Sequence, residues 1–136
     1  MRVLVVEDHL DSAKLYSRLL ALEGHVVDVA YDVHSALEFC EKNAYGVLLA
    51  DIGLPDGSGW ELIKTLLQHC PVRGIAISGY GYDTDIQKSL EAGFVEHLTK
   101  PIAADHLFAA IERVAAMPLP TLPGSITHAQ PWPAPR

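Results

Sequence analysis

GVLLADIGLPDGSGWELI, residues 46–63, sets an unbroken apolar run against a carboxylate, then a loop rich in glycine and proline, then a helical pattern. An apolar run without polar alternation predicts a strand covered on both faces, here 46–50, with Asp51 at its end. The loop that follows cannot continue either regular element. A helix is predicted from about 60 to 69, with Trp60 packing at its start.

The same unit recurs on both sides. Residues 3–6 are a β-branched and leucine run that predicts a first strand. Residues 12–23 follow as a helix with Leu15, Leu19, Leu20 and Leu22 on its apolar stripe and Gly24 as its stop. Val26–Ala30 reads as a second strand, and 35–42 as a helix turning Ala36, Leu37 and Phe39 inward. Gly74–Ser78, then 84–92 closed by Gly93, then 95–98, then 103–117 after Lys100-Pro101, complete the alternation. Strict strand–helix alternation predicts parallel strands joined by right-handed crossovers, a doubly wound α/β sheet of five strands. No internal repeat is visible. From Met117 the character changes: Pro118, Pro120, Pro123, Pro131, Pro133 and Pro135 forbid a regular element. The expected organisation is one domain over 1–117 and a proline-rich tail or linker over 118–136, mobile rather than anchored by Trp132.

Composition narrows the function. The net charge of −7 and the absence of a basic run argue against direct binding of nucleic acid. Nothing approaches the ~20 apolar residues of a membrane span, and the start MRVLVVEDH turns acidic too soon for a signal peptide. A cytoplasmic protein is expected. Cys40 and Cys70 read as reduced, partly buried thiols without a disulfide or metal, and the histidines, His9 and His25 among them, fit no metal spacing.

In a doubly wound sheet ligands bind beyond the carboxyl ends of the strands. There the first strand offers Glu7 and Asp8, the third Asp51, the fourth Ser78, and the fifth runs into Lys100-Pro101. Taken singly, each has a plainer role: Asp8 as a helix cap, Asp51 opening a turn with Gly53, Ser78 as a solvated strand end, Lys100 as a surface charge. Converging on one edge, they make a site. Clustered carboxylates raise one another's pKa unless a cation sits among them. Oxygen ligands suit Mg²⁺, which often bridges to phosphate. An ionised Asp51 is then a nucleophile for an aspartyl-phosphate, with the metal, Lys100 and Ser78 as partners for the phosphoryl oxygens.

At these residues the chain resembles the response-regulator receiver family. The motifs are VLVVEDH at the start, LLADIGLPDGSGWEL around Asp51, AISGYG around Ser78 and EAGFVEHLTKPI around Lys100, and the resemblance covers about 2–115. It implies a flavodoxin-like (βα)5 sandwich. It further implies that Glu7 and Asp8 bind Mg²⁺ together with Asp51 and the Gly53 carbonyl. Asp51 then accepts a phosphoryl group from a histidine kinase or phosphotransfer protein, and Ser78 and Lys100 hold it. His97 stands where Tyr or Phe is commoner, a ring that rotates inward as the hydroxyl moves toward phosphate; an imidazole there adds a charge that changes near neutral pH. Gly53 has no side chain to place an attacking water, and the Tyr80 ring would shield the site, so slow dephosphorylation is expected.

The function so implied is a phosphorylation-dependent signalling switch, a phosphoacceptor that catalyses at most its own phosphorylation and dephosphorylation. It would remodel the surface of the fourth helix, fifth strand and fifth helix for a downstream protein partner, a homodimer formed on phosphorylation included. After the fifth helix too little chain remains for a DNA-binding domain, so output is expected through a protein contact or a domain elsewhere. ISGYG and GFVEHLTKP look like the receivers of hybrid histidine kinases, which favours a receiver taken from a larger protein over a stand-alone regulator. Two alternatives stand beside this reading. One is a degenerate receiver that binds partners constitutively, although no acid, acceptor or lysine is missing. The other is an aspartate-nucleophile phosphatase, which usually carries a second Asp where Gly53 stands.

Overall fold

The computed structural model describes residues 1–79 and 83–120. Five parallel strands, β1 (Arg2–Val6), β2 (Val26–Ala30), β3 (Val47–Asp51), β4 (Gly74–Ser78) and β5 (Glu96–Thr99), lie in the order β2-β1-β3-β4-β5. Between and after them run α1 (Leu10–Leu22), α2 (Val33–Lys42), α3 (Gly59–Leu66), α4 (Asp83–Ala92) and α5 (Ala104–Ala115). The predicted doubly wound sandwich is the observed one.

The pleat sends alternate residues of each strand to opposite faces. Leu4, Val6, Leu48 and Ala50 pack with Ala36, Leu62, Ile63 and Leu66 of α2 and α3. Val3, Val5, Val47 and Leu49 pack on the other face with Tyr16, Leu20, Leu107 and Ile111 of α1 and α5. Because both faces are covered, β1 from Val3 to Val6 and β3 from Val47 to Ala50 are unbroken apolar runs, which is why their sequences show no alternation.

Several boundaries differ from the sequence reading. α1 starts at Leu10, and its cap is His9, whose Nδ1 accepts from the Ser12 amide at 3.3 Å; Asp8 does not cap it. Within α1, Tyr16 and Leu20 face the core while Leu15 and Leu22 are exposed, Leu22 at 82%. A stripe of leucines on consecutive turns is wider than the face the sheet covers, so its edges meet water. α2 begins earlier because two carboxylates satisfy its first amides. Asp32 accepts from Ser35 N at 2.8 Å, and Asp56, from the loop after β3, accepts from Val33 N at 2.7 Å and His34 N at 3.0 Å. α3 ends at Leu66 because the chain tightens there: Gln68 and His69 donate three residues back. The loop after Asp51 holds a two-residue antiparallel ribbon, Gly53–Leu54 with Gly57–Ser58. It closes on Gly59, where a β-carbon would stand 2.5 Å from the Asp51 carbonyl oxygen, so only glycine permits this return.

At the opposite end of the sheet Arg73 ties the last helix down. Its Nε donates to Gly46 O at 2.9 Å, and its Nη1 donates to Ala115 O and Met117 O, each at 2.7 Å. Trp132 and most of the proline-rich tail lie outside the described residues. Among the described residues no helix is long and apolar enough to cross a membrane.

The contrast within α1 is testable by urea denaturation. Leu20→Ala should cost about 2–5 kcal/mol through lost burial and the cavity left behind. Leu22→Ala, one half-turn further on, should change stability by less than about 0.5 kcal/mol.

Candidate functional site at the carboxyl ends of the strands

Strand order reverses between β1 and β3, so the crevice beyond their carboxyl ends is where such a sheet opens a site. Glu7 follows β1 directly, its amide bonded to Ala30 O at 3.0 Å, and its side chain is fully buried. Asp8 is exposed beside it. Asp51 closes β3 with its side chain 13% exposed. Carboxylate oxygens of Glu7, Asp8 and Asp51 lie within 4.8 Å of one another.

One cation stands among these acids. Lys100 Nζ donates to Asp51 Oδ2 at 2.8 Å and to Glu7 Oε1 at 2.5 Å. The other Asp51 oxygen, Oδ1, accepts from the Gly53 amide at 2.9 Å, so the loop holds the carboxylate from the far side. Lys100 is placed by its own amide, which donates to Ser78 O at 2.8 Å, ahead of a cis peptide bond to Pro101. Burial by itself lowers the Lys100 pKa, but the Asp51 and Glu7 carboxylates outweigh it and hold the ammonium above its ordinary range.

Glu7 remains under-compensated. Burial, reinforced by the neighbouring Asp51 carboxylate, pushes its pKa up to about 7 in spite of Lys100. Its second oxygen, Oε2, is buried and meets no donor among the described residues. An orphaned buried carboxylate oxygen carries a desolvation cost of about 1–3 kcal/mol or more. A cation in the cluster would remove that cost, and an oxygen-only donor set fits a hard divalent ion.

Ser78 ends β4, buried, and its Oγ stands 2.7 Å from His97 Nε2. The other ring nitrogen, Nδ1, is 2.9 Å from Ser89 Oγ on α4. Burial lowers the His97 pKa. Ser89 is fully buried, donates to Asp85 O at 3.0 Å and accepts from Trp60 Nε1 at 2.9 Å. Trp60 thus packs at the start of α3 as predicted, and also donates a hydrogen bond to α4. Sequence reasoning found Ser78 and His97 but missed Ser89, a serine inside a helix with no local signal. Tyr80, expected to shield the site, lies outside the described residues.

This geometry has known counterparts. The family model described as "Response regulator receiver domain" matches residues 3–112. The chain belongs to the response regulator receiver domain family. An uncharacterised 14.6 kDa protein of Leptolyngbya boryana is 34% identical to this receiver over 105 residues, covering 75% of this chain and 80% of that protein. The transcriptional regulatory protein CutR of Streptomyces coelicolor is 36% identical over 124 residues, which cover 88% of this chain but 57% of CutR, so the receiver spans little more than half of that regulator's length. In three dimensions it is similar to the beryllofluoride-activated NtrC4 receiver domain dimer, with a TM-score of 0.79 at 28% identity over 83% of this chain and 94% of that one.

Because the Glu7 pKa is raised in the folded receiver, folding binds an extra proton between the ordinary value of 4.5 and about 7. The stability Glu7 contributes is therefore full below pH 4.5 and lost as pH rises through 7. In a chelator, Glu7→Gln should gain stability relative to the unaltered protein between pH 5 and pH 8, read by denaturant titration at each pH.

Proposed function

We propose that this receiver is a phosphorylation-dependent switch in which Asp51 accepts a phosphoryl group from a histidine kinase or phosphotransfer protein. The observation that carries the reading is the buried Glu7 beside Asp51, with one oxygen on Lys100 and the other without a donor. Such an arrangement is a poor structural ion pair and a good half-built cation site.

Glu7, Asp8 and Asp51, with the Gly53 carbonyl, are the groups proposed to hold Mg²⁺. Bound there, the ion supplies charge neutralisation for the acids and for the incoming phosphoryl oxygens. The chain's own residues do the rest. Asp51 is held by the Gly53 amide on Oδ1, which keeps its carboxylate at the mouth of the crevice. An Asp51 oxygen forms the new bond to phosphorus as the bond from phosphorus to the donor's imidazole nitrogen breaks. Lys100, already on Asp51 Oδ2, stays within reach of the added oxygens, and the Ser78 hydroxyl is proposed to donate to another. Ser78 then withdraws its proton from His97, and the surface of α4, β5 and α5 changes for a downstream protein partner. A homodimer formed on phosphorylation is one such partner, in a cytoplasmic setting.

Incubation with Mg²⁺ and acetyl phosphate, followed by intact mass, tests the assignment. One phosphoryl group should be taken up, dependent on Mg²⁺ and absent from Asp51→Asn; uptake retained by Asp51→Asn would overturn it. Mg²⁺ affinity should fall as pH drops below about 7, where Glu7 takes a proton, measurable by calorimetric titration at pH 6 and 8.

Gly53 leaves the phosphoryl group without a neighbouring side chain to place water. A β-carbon there would make only ordinary contact, 3.8 Å from Asp51 Oδ1, so a side chain fits. Gly53→Asn should speed loss of the phosphoryl group several-fold, followed as decay of the phosphorylated mass.

A further inference from the structure

The hydrogen bonds around Ser89 fix the proton positions of the whole chain of groups behind Ser78. Ser89 has one hydroxyl proton, and it goes to the Asp85 carbonyl. Its oxygen accepts from Trp60 Nε1–H. The remaining contact, to His97 Nδ1, therefore has the imidazole as donor. Burial disfavours a charged ring, so a neutral His97 that carries its proton on Nδ1 has a bare Nε2. That bare nitrogen accepts the Ser78 hydroxyl proton across 2.7 Å. The order of donation runs from Ser78 to His97 to Ser89, with Trp60 donating into the same oxygen.

Resting on the reading that Ser78 donates to the phosphoryl group, we propose that His97 and Ser89 form a proton-ordered relay that carries the engagement of Ser78 to the α3–α4 junction at Trp60. A hydroxyl has a single proton. Once Ser78 turns it to a phosphoryl oxygen, His97 Nε2 becomes a half-buried acceptor that has lost its donor, which is unfavourable. Exchange of the neutral tautomer relieves this: one proton leaves Nδ1 to water, one from water arrives at Nε2, and Nε2–H donates to Ser78 Oγ. Charge and proton count on the ring are unchanged. Nδ1 is then an acceptor, so the Ser89 hydroxyl must turn to it and release the Asp85 carbonyl. The oxygen that receives the Trp60 indole proton is reoriented in the same event, beneath the Lys88 ammonium that lies 5.3 Å from the indole ring. A phenylalanine or tyrosine at position 97 has no second nitrogen and cannot pass the change on in this way.

The experiment is ¹⁵N NMR of the uniformly labelled full chain, before and after Mg²⁺ and beryllofluoride, with Trp60→Phe to assign the indole. In the free protein His97 should show a protonated Nδ1 and an unprotonated Nε2. After uptake, seen independently at the Gly53 amide, the two nitrogens should exchange character and the Trp60 indole N–H should shift. In Ser89→Ala, uptake at Gly53 should persist while the response of Trp60 is lost. Uptake at Gly53 with His97 unchanged, or with both ring nitrogens protonated, would overturn the relay and leave the switch reading intact. No uptake at Gly53 would overturn both.

Discussion

Everything at the working end of this sheet depends on one ammonium group. The carboxyl ends of β1 and β3 gather three carboxylates within a few ångströms, and parallel strands cannot place them elsewhere. Lys100 Nζ reaches Glu7 and Asp51 together from the end of β5, two strands away from Asp51. The position of that ammonium follows from the backbone bond between Lys100 and Ser78 O, so sheet pairing and electrostatic compensation are one arrangement. Yet one positive charge against three negative ones does not balance. Among the described residues the deficit falls on Glu7, the most deeply buried of the acids, whose second oxygen has no donor.

At the acidic end Glu7 keeps a buried oxygen without a donor among the described residues. The two hydrophobic layers are complete, with side chains of β1, β3 and β4 closed off from water on both faces. The strand ends instead meet a polar network between β4, β5, α4 and α3. A packed core transmits a conformational change as a rigid body, and buried hydrogen bonds transmit it as a choice between discrete partners.

Much of this was legible in the sequence. Apolar runs without alternation at 3–6 and 46–50 announced a sheet covered on both faces, and the residues immediately after each run announced the site. What could not be read depended on pairs distant in sequence. The capping of α2 by Asp56 requires the loop after β3 to fold back over 22 residues. The exposure of Leu15 and Leu22 depends on how much of α1 the sheet covers, which periodicity does not measure. Ser89 is polar inside a helix and carries no local pattern; its role appears only when α3, α4 and β5 are brought together. The orphaned oxygen of Glu7 likewise exists only once its surroundings have closed over it.

Arg73 clasps the carbonyls of Ala115 and Met117 at the edge where β3 and β4 begin, so the end of α5 is fastened at the pole opposite Asp51. Met117 is therefore held beside the starting ends of the strands whose finishing ends carry Asp51 and Ser78. One arginine thereby sets the close of the last helix and the acidic crevice at opposite ends of the same strands.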